Sequence, residues 1–136
     1  MSPATERPCI LIVDDDEDVV AYLSTVLKDN GYHPVCTSSG GEVLDLAREH
    51  RPDLICLDIS MPPPTGVRIY RDLRDDPELK AIPVIMVTGV EREFEDFIKS
   101  RRQVPPPDGY HRKPFDVDEL LATVREILAK SEGAAN

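Results

Sequence analysis

Apolar runs and helix-period stripes alternate along this chain, and that alternation is its strongest structural signal. "CILIV" (Cys9 to Val13) is short, continuous and rich in β-branched residues, which predicts a strand buried on both faces. From Asp16 the spacing turns helical, with Val19, Val20, Leu23, Val26 and Leu27 on one face and Asn30-Gly31 as the stop. "HPVCT" (His33 to Thr37) predicts a second strand, with Pro34 tolerable at an edge or strand start. Ser38 or Ser39 is the expected cap of the next helix, whose stripe is Val43, Leu44 and Ala47 before Arg51-Pro52. "DLICL" (Asp53 to Leu57) predicts the third strand, and Thr65-Gly66 opens a helix carrying Val67, Ile69, Tyr70 and Leu73.

The second half repeats the scheme. "PVIMV" (Pro83 to Val87) predicts a fourth strand running into Thr88-Gly89, and Phe94, Phe97 and Ile98 mark a helix between Glu91 and Arg102. "QVPPPDG" cannot be regular helix. "YHR" (Tyr110 to Arg112) is a weak fifth strand, and Asp116 with Glu119 starts a last helix striped by Leu120, Leu121, Val124, Ile127 and Leu128. Such βα units in series imply an α/β fold, a parallel sheet with helices on both faces and right-handed crossovers. Residues 1–7 and 131–136 read as polar tails around one domain spanning 8–130.

Composition narrows the class. The 136 residues carry a formal net charge of −10, which excludes phosphate-backbone binding by a basic face and suits a cation or a basic partner. No run approaches the roughly 18 apolar residues that span a bilayer, and "MSPATERP" lacks a signal-peptide core. Cys9, Cys36 and Cys56 each lie in an apolar run, so reduced core thiols in a cytoplasmic protein are expected. Neither they nor His33, His50 and His111 make a zinc pattern, and the two histidines at 33 and 111 have no evident partner.

Chemistry is expected where a parallel sheet puts it, beyond the carboxyl ends of the strands. The first strand ends in Asp14-Asp15, the third in Asp58, the fourth in Thr88, and the fifth leads to Lys113-Pro114. Three carboxylates brought together need a cation to remain ionised, and a site of few oxygen ligands suits magnesium better than zinc or a full calcium cage. A lysine and a hydroxyl opposite leave room for an anion, and a carboxylate is a known phosphoryl acceptor. On its own, "DDDED" is as well explained by a solvated loop and a helix start, with Asp16 as the cap and Glu17 and Asp18 in the first turn.

Taken in order, "ILIVDDDEDV", "PDLICLDISMPPPTG", "PVIMVTG" and "HRKPF" resemble the receiver domain of two-component response regulators over nearly the whole chain. The resemblance implies a flavodoxin-like fold with strand order 2-1-3-4-5. It implies that Asp58 accepts a phosphoryl group from a histidine kinase or a histidine phosphotransfer protein. Mg²⁺ would be held by Asp15 directly, by Asp14 largely through water, and by Asp58 and the backbone carbonyl of Ser60. Thr88 and Lys113 would bind phosphoryl oxygens, Thr88 and Tyr110 would form the switch, and Lys113-Pro114 would be a cis peptide. The output surface, made by the fourth helix, fifth strand and last helix, would meet a downstream protein.

Some positions depart from the family's pattern. "KSRRQVPPPDG" is longer and stiffer than the usual turn before the fifth strand, and "MPPPTG" is unusually rich in proline. Ser60 and Val90 offer no strong base to orient an attacking water, which implies a slow loss of phosphate. Two rival readings are weighed beside the receiver. An aspartate-nucleophile phosphatase would carry a second acid two residues after Asp58, where Ser60 stands. A degenerate receiver serving as a constitutive binding module is opposed by the intact Asp14, Asp15, Asp58, Thr88 and Lys113 set.

Overall fold

A computed structural model describes residues 7–58, 65–88, 108–112 and 116–135, without the side chains of Thr88, Tyr110, Arg112 and residues 131–135. The strands are β1 (Cys9–Val13), β2 (His33–Thr37), β3 (Leu54–Asp58), β4 (Val84–Thr88) and β5 (Gly109–Arg112). They form one sheet in the order β2-β1-β3-β4-β5, and every pairing is parallel. Among the described residues the helices are α1 (Glu17–Asp29), α2 (Val43–His50), α3 (Gly66–Asp75) and α4 (Val117–Ala135). The helix expected over 91–102 lies outside the described residues.

Two apolar layers cover the sheet, one on each face. Leu11, Val13, Ile55, Leu57, Val84 and Met86 pack against Val43 and Ala47 of α2 and Ile69, Tyr70 and Leu73 of α3. Ile10, Ile12, Leu54, Cys56, Ile85 and Val87 pack against Leu23 and Leu27 of α1 and Leu120, Val124 and Ile127 of α4. Residues of successive parity along a strand point to opposite faces, so continuous apolar runs serve both layers. All five predicted stripe residues of the last helix are buried.

Helix ends follow local chemistry. The Asp16 carboxylate caps α1 by accepting from the Asp18 and Val19 N–H groups at 2.9 and 3.4 Å. The same helix closes at Gly31, whose φ of +90° lets the Tyr32 N–H reach the Leu27 carbonyl at 3.0 Å. The Thr65 hydroxyl accepts from the Arg68 N–H at 3.3 Å to start α3. Asp116 caps α4 through the Asp118 and Glu119 N–H groups at 2.8 and 3.2 Å.

Several expectations are corrected. Neither serine caps α2: Ser39 makes no side-chain cap bond, and a 3₁₀ turn (Gly40–Glu42) leads into the helix instead. Thr37 explains this, because its hydroxyl takes the Ser39 N–H at 3.0 Å and sets the turn from the strand side. The C-terminal tail expected from residue 131 is helical as far as Ala135; Glu132, Ala134 and Ala135 favour the helix and Gly133 disfavours it. Cys36 is exposed and Cys9 only half-buried, because β2 is an edge strand and Cys9 begins β1 at the rim; Cys56 alone is a core thiol. His111 does have a partner, accepting or donating through Nε2 at 2.9 Å from the Thr123 hydroxyl on α4.

Candidate acidic site at the carboxyl edge of the sheet

Register places the acids. Val13 pairs with Leu57, so Asp14 and Asp58 are the next residues on neighbouring parallel strands. Each continues the row of alternate residues that packs toward α1 and α4, after Ile10 and Ile12 in β1 and Leu54 and Cys56 in β3. Strand β1 stops here because the acids after Val13 turn the chain into α1, whose first turn carries Glu17 and Asp18.

Carboxylate oxygens of Asp14, Asp15 and Asp58 all lie within 4.8 Å of one another. Asp14 is 3 % exposed and Asp58 2 %, whereas Asp15 is open to solvent. Two buried acids beside a third repel strongly in low dielectric, so the arrangement calls for positive charge. The donor set is all oxygen and small in number, which fits a hard divalent cation that keeps several waters. It does not fit a soft metal: the Cys56 thiol faces the apolar layer, and burial pushes it up to about 12.

Hydrogen bonds hold the acidic turn. The Asp14 N–H donates to the Thr37 carbonyl at 3.3 Å, tying the end of β1 to the end of β2. The Asp14 Oδ1 accepts from the Asp16 N–H at 2.9 Å. Thr37 is buried, and its hydroxyl also donates to the Ser39 carbonyl at 3.3 Å.

Other predicted site residues are placed in part. Thr88 ends β4, one position beyond the Asp58–Val87 pair, and Tyr110 pairs with Met86 in β5. These backbone positions lie in the strands adjoining β3 and β4, toward the edge that carries the acids. The Thr88 and Tyr110 side chains, and Ser60, Lys113 and Pro114 altogether, lie outside the described residues. Sequence reasoning passed over Thr37 and the backbone role of Asp16. A polar residue ending the strand next to an acidic turn was the available signal for Thr37.

The fold and the acidic edge together define a class: a doubly wound α/β domain with a carboxylate cluster beyond its central strands. Residues 10–125 match the response regulator receiver domain, and the chain belongs to that family. It is 36 % identical over 119 residues to the polar-differentiation response regulator DivK of Brucella anthropi, covering 88 % of this chain and 94 % of that protein. The chemotaxis protein CheY4 of Vibrio cholerae superposes with a TM-score of 0.76 at 29 % identity, covering 89 % of this chain and 98 % of that one. The receiver domain of the Francisella response regulator 1452 gives 0.78 at 27 % identity, covering 92 % and 99 %. The flavodoxin-like fold expected from the sequence is therefore the fold of the family, and receiver domains of two-component systems are signalling switches. No described helix is long and apolar enough to cross a membrane.

Proposed function

We propose that this chain is a phosphorylation-dependent receiver in which Asp58 takes a phosphoryl group from a phosphohistidine donor. The donor is a histidine kinase or a histidine phosphotransfer protein. One observation carries the reading: in a member of this family, the Asp14, Asp15 and Asp58 carboxylates converge within 4.8 Å at the carboxyl edge of the sheet. An Asp58 carboxylate oxygen attacks phosphorus, the P–N bond to the donor imidazole breaks, and the imidazole nitrogen keeps the electron pair.

Asp14, Asp15, Asp58 and the Ser60 carbonyl are the groups that would hold Mg²⁺. Bound there, the cation supplies positive charge against the acids and the incoming phosphoryl oxygens. Thr88 and Lys113 take the roles of phosphoryl-oxygen partners, with Lys113-Pro114 as the cis peptide. Thr88 and Tyr110 form the switch that alters the surface built from residues 91–102, β5 and α4. A downstream protein reads that surface, and the three free cysteines suit a cytoplasmic location.

The test is stoichiometric labelling with acetyl phosphate or a phosphorylated kinase, with and without Mg²⁺. Close to one phosphoryl group per chain, absent from Asp58→Asn and from metal-free protein, is expected. Turnover of a generic phosphate ester would favour a phosphatase instead, and no labelling under any condition would leave only a binding module.

A further inference from the structure

We infer that Asp16 is a positioning residue of the acidic site: it fixes the Asp14 carboxylate through its own backbone N–H, and α1 in turn fixes Asp16. This rests on the reading above, in which Asp14 helps to hold the cation, largely through water. Two successive aspartate turns make the relay. The Asp14 Oδ1 accepts from the Asp16 N–H at 2.9 Å, and the Asp16 Oδ1 accepts from the Asp18 and Val19 N–H groups. The Asp16 carbonyl continues the chain by accepting from the Val20 N–H at 3.0 Å.

Each link removes a freedom. The Thr37 carbonyl holds the Asp14 main chain, which leaves rotation of its side chain to be restrained by the contacts that side chain makes. A hydrogen bond from the Asp16 N–H restrains that rotation, but only while residue 16 keeps its extended backbone, with φ of −90° and ψ of 106°. The Asp16 side chain maintains this conformation by bonding two otherwise unpaired N–H groups of the first turn. The start of a helix thereby sets the direction of a ligand carboxylate two residues upstream.

Charge is not the means. Asp16 is exposed, and the group of converging carboxylates is Asp14, Asp15 and Asp58. Asparagine presents the same acceptor oxygen as aspartate, so it preserves the relay without the charge. Alanine removes the acceptor. Glycine removes it as well, yet is tolerated at a helix N-cap at a cost of only a few tenths of a kcal/mol.

Titration of ¹⁵N-labelled full-length chain with MgCl₂, followed by amide shifts, tests the relay. Wild-type protein binds, and Asp14→Ala abolishes or sharply weakens binding. Asp16→Ala and Asp16→Gly weaken Mg²⁺ by about tenfold, the lower end of what partners that orient metal ligands contribute. Asp16→Asn stays within about twofold of wild type. Asp116→Ala, which removes a matching cap from α4, leaves Mg²⁺ affinity unchanged. In metal-free protein, the amide of position 16 exchanges faster in the glycine variant than in wild type.

Wild-type affinity in both Asp16→Ala and Asp16→Gly would overturn the inference while leaving the site reading intact. Equal weakening in Asp16→Asn and Asp16→Ala would assign the effect to charge and overturn it too. No Mg²⁺ binding by wild-type protein would remove the site reading and the inference with it.

Discussion

Arg74, near the end of α3, donates through Nη2 to Asp108 Oδ2 at 3.0 Å, and the same oxygen accepts from the Val84 N–H at 2.9 Å. The other guanidinium nitrogen, Nη1, reaches the carbonyls of Lys80 and Ile82 at 2.8 and 2.7 Å, while the group stands over the Tyr70 ring at 4.9 Å. One side chain thus binds the end of α3, the loop before β4 and the residue before β5. Asp108 thereby anchors the start of β5 to α3 and to the start of β4.

Arg74 is only 9 % exposed and Asp108 is 42 % exposed, so loss of the arginine strands its acceptors more than loss of the acid does. Arg74→Ala should cost about 2–3 kcal/mol, in the range for hydrogen bonds to a charged group. Arg74→Lys should recover less than half of that, since an ammonium cannot present the fork that reaches two carbonyls and a carboxylate together. Urea denaturation midpoints measure both. A cost below about 0.5 kcal/mol for the alanine variant would mean that the junction is held by strand pairing alone.

Asp15 is the exposed member of the acidic cluster, and its charge opposes two buried ones. In metal-free protein, Asp15→Asn should therefore raise stability by about 0.5–1.5 kcal/mol, discounted from the buried value because solvent screens this carboxylate. Magnesium should reverse the advantage, since the wild type gains stability from ligation as cation concentration rises and the variant gains little. Thermal melts with EDTA and with MgCl₂ provide the comparison. Identical shifts of both proteins with Mg²⁺ would show that Asp15 is not a ligand.

The Asp14–Asp15–Asp58 convergence was legible in the sequence because strand ends in a parallel sheet share one edge, and two neighbouring ends, those of β1 and β3, carry the three acids. Local caps at Asp16, Thr65 and Asp116 were legible for a different reason: their partners lie within three residues. The Arg74–Asp108 junction was not, since 34 residues separate the pair and nothing local marks either one. Burial of the cysteines was misjudged because an apolar run has the same composition in an edge strand as in a central one. Cys36 stands in β2, which among the described residues has only β1 beside it in the sheet, and is exposed.

His111 sits in β5 with its Nε2 at 2.9 Å from the Thr123 hydroxyl, which itself donates to the Glu119 carbonyl at 3.0 Å. With the hydroxyl proton committed to that carbonyl, the imidazole Nε2–H is the donor and the neutral tautomer is set. Burial lowers the His111 pKa below its ordinary 6.5, against a smaller raising effect of the Glu119 charge. Folding therefore favours the neutral ring. Its stabilising effect is complete above the unfolded value near pH 6.5 and declines as pH falls from there through the lower folded value. Urea midpoints at pH 7.5 and 5.5 should differ more for the wild type than for His111→Gln. Equal pH dependence in the two proteins would assign the loss to carboxylates alone.

Gly109 lies two residues before His111 on the same face of β5 and pairs with Ile85 of β4. A Cβ added there would stand 2.9 Å from Thr123 Cγ2, 3.2 Å from Ile85 Cγ1 and 3.6 Å from Ile127 Cδ1. Strand and helix approach this closely because the glycine has no side chain, and the obstructing atoms belong to a strand and a helix already packed together. Gly109→Ala should cost about 1–3 kcal/mol by overpacking, although alanine suits a strand no worse than glycine. The strain falls on Thr123, so the His111–Thr123 hydrogen bond should lengthen or break; the ring then loses an acceptor for its N–H while staying buried, and its pKa should fall further below the ordinary value. NMR titration of the imidazole resonances in Gly109→Ala measures this directly. An unchanged His111 titration alongside the stability loss would show that α4 moves as a unit and carries the hydroxyl with it.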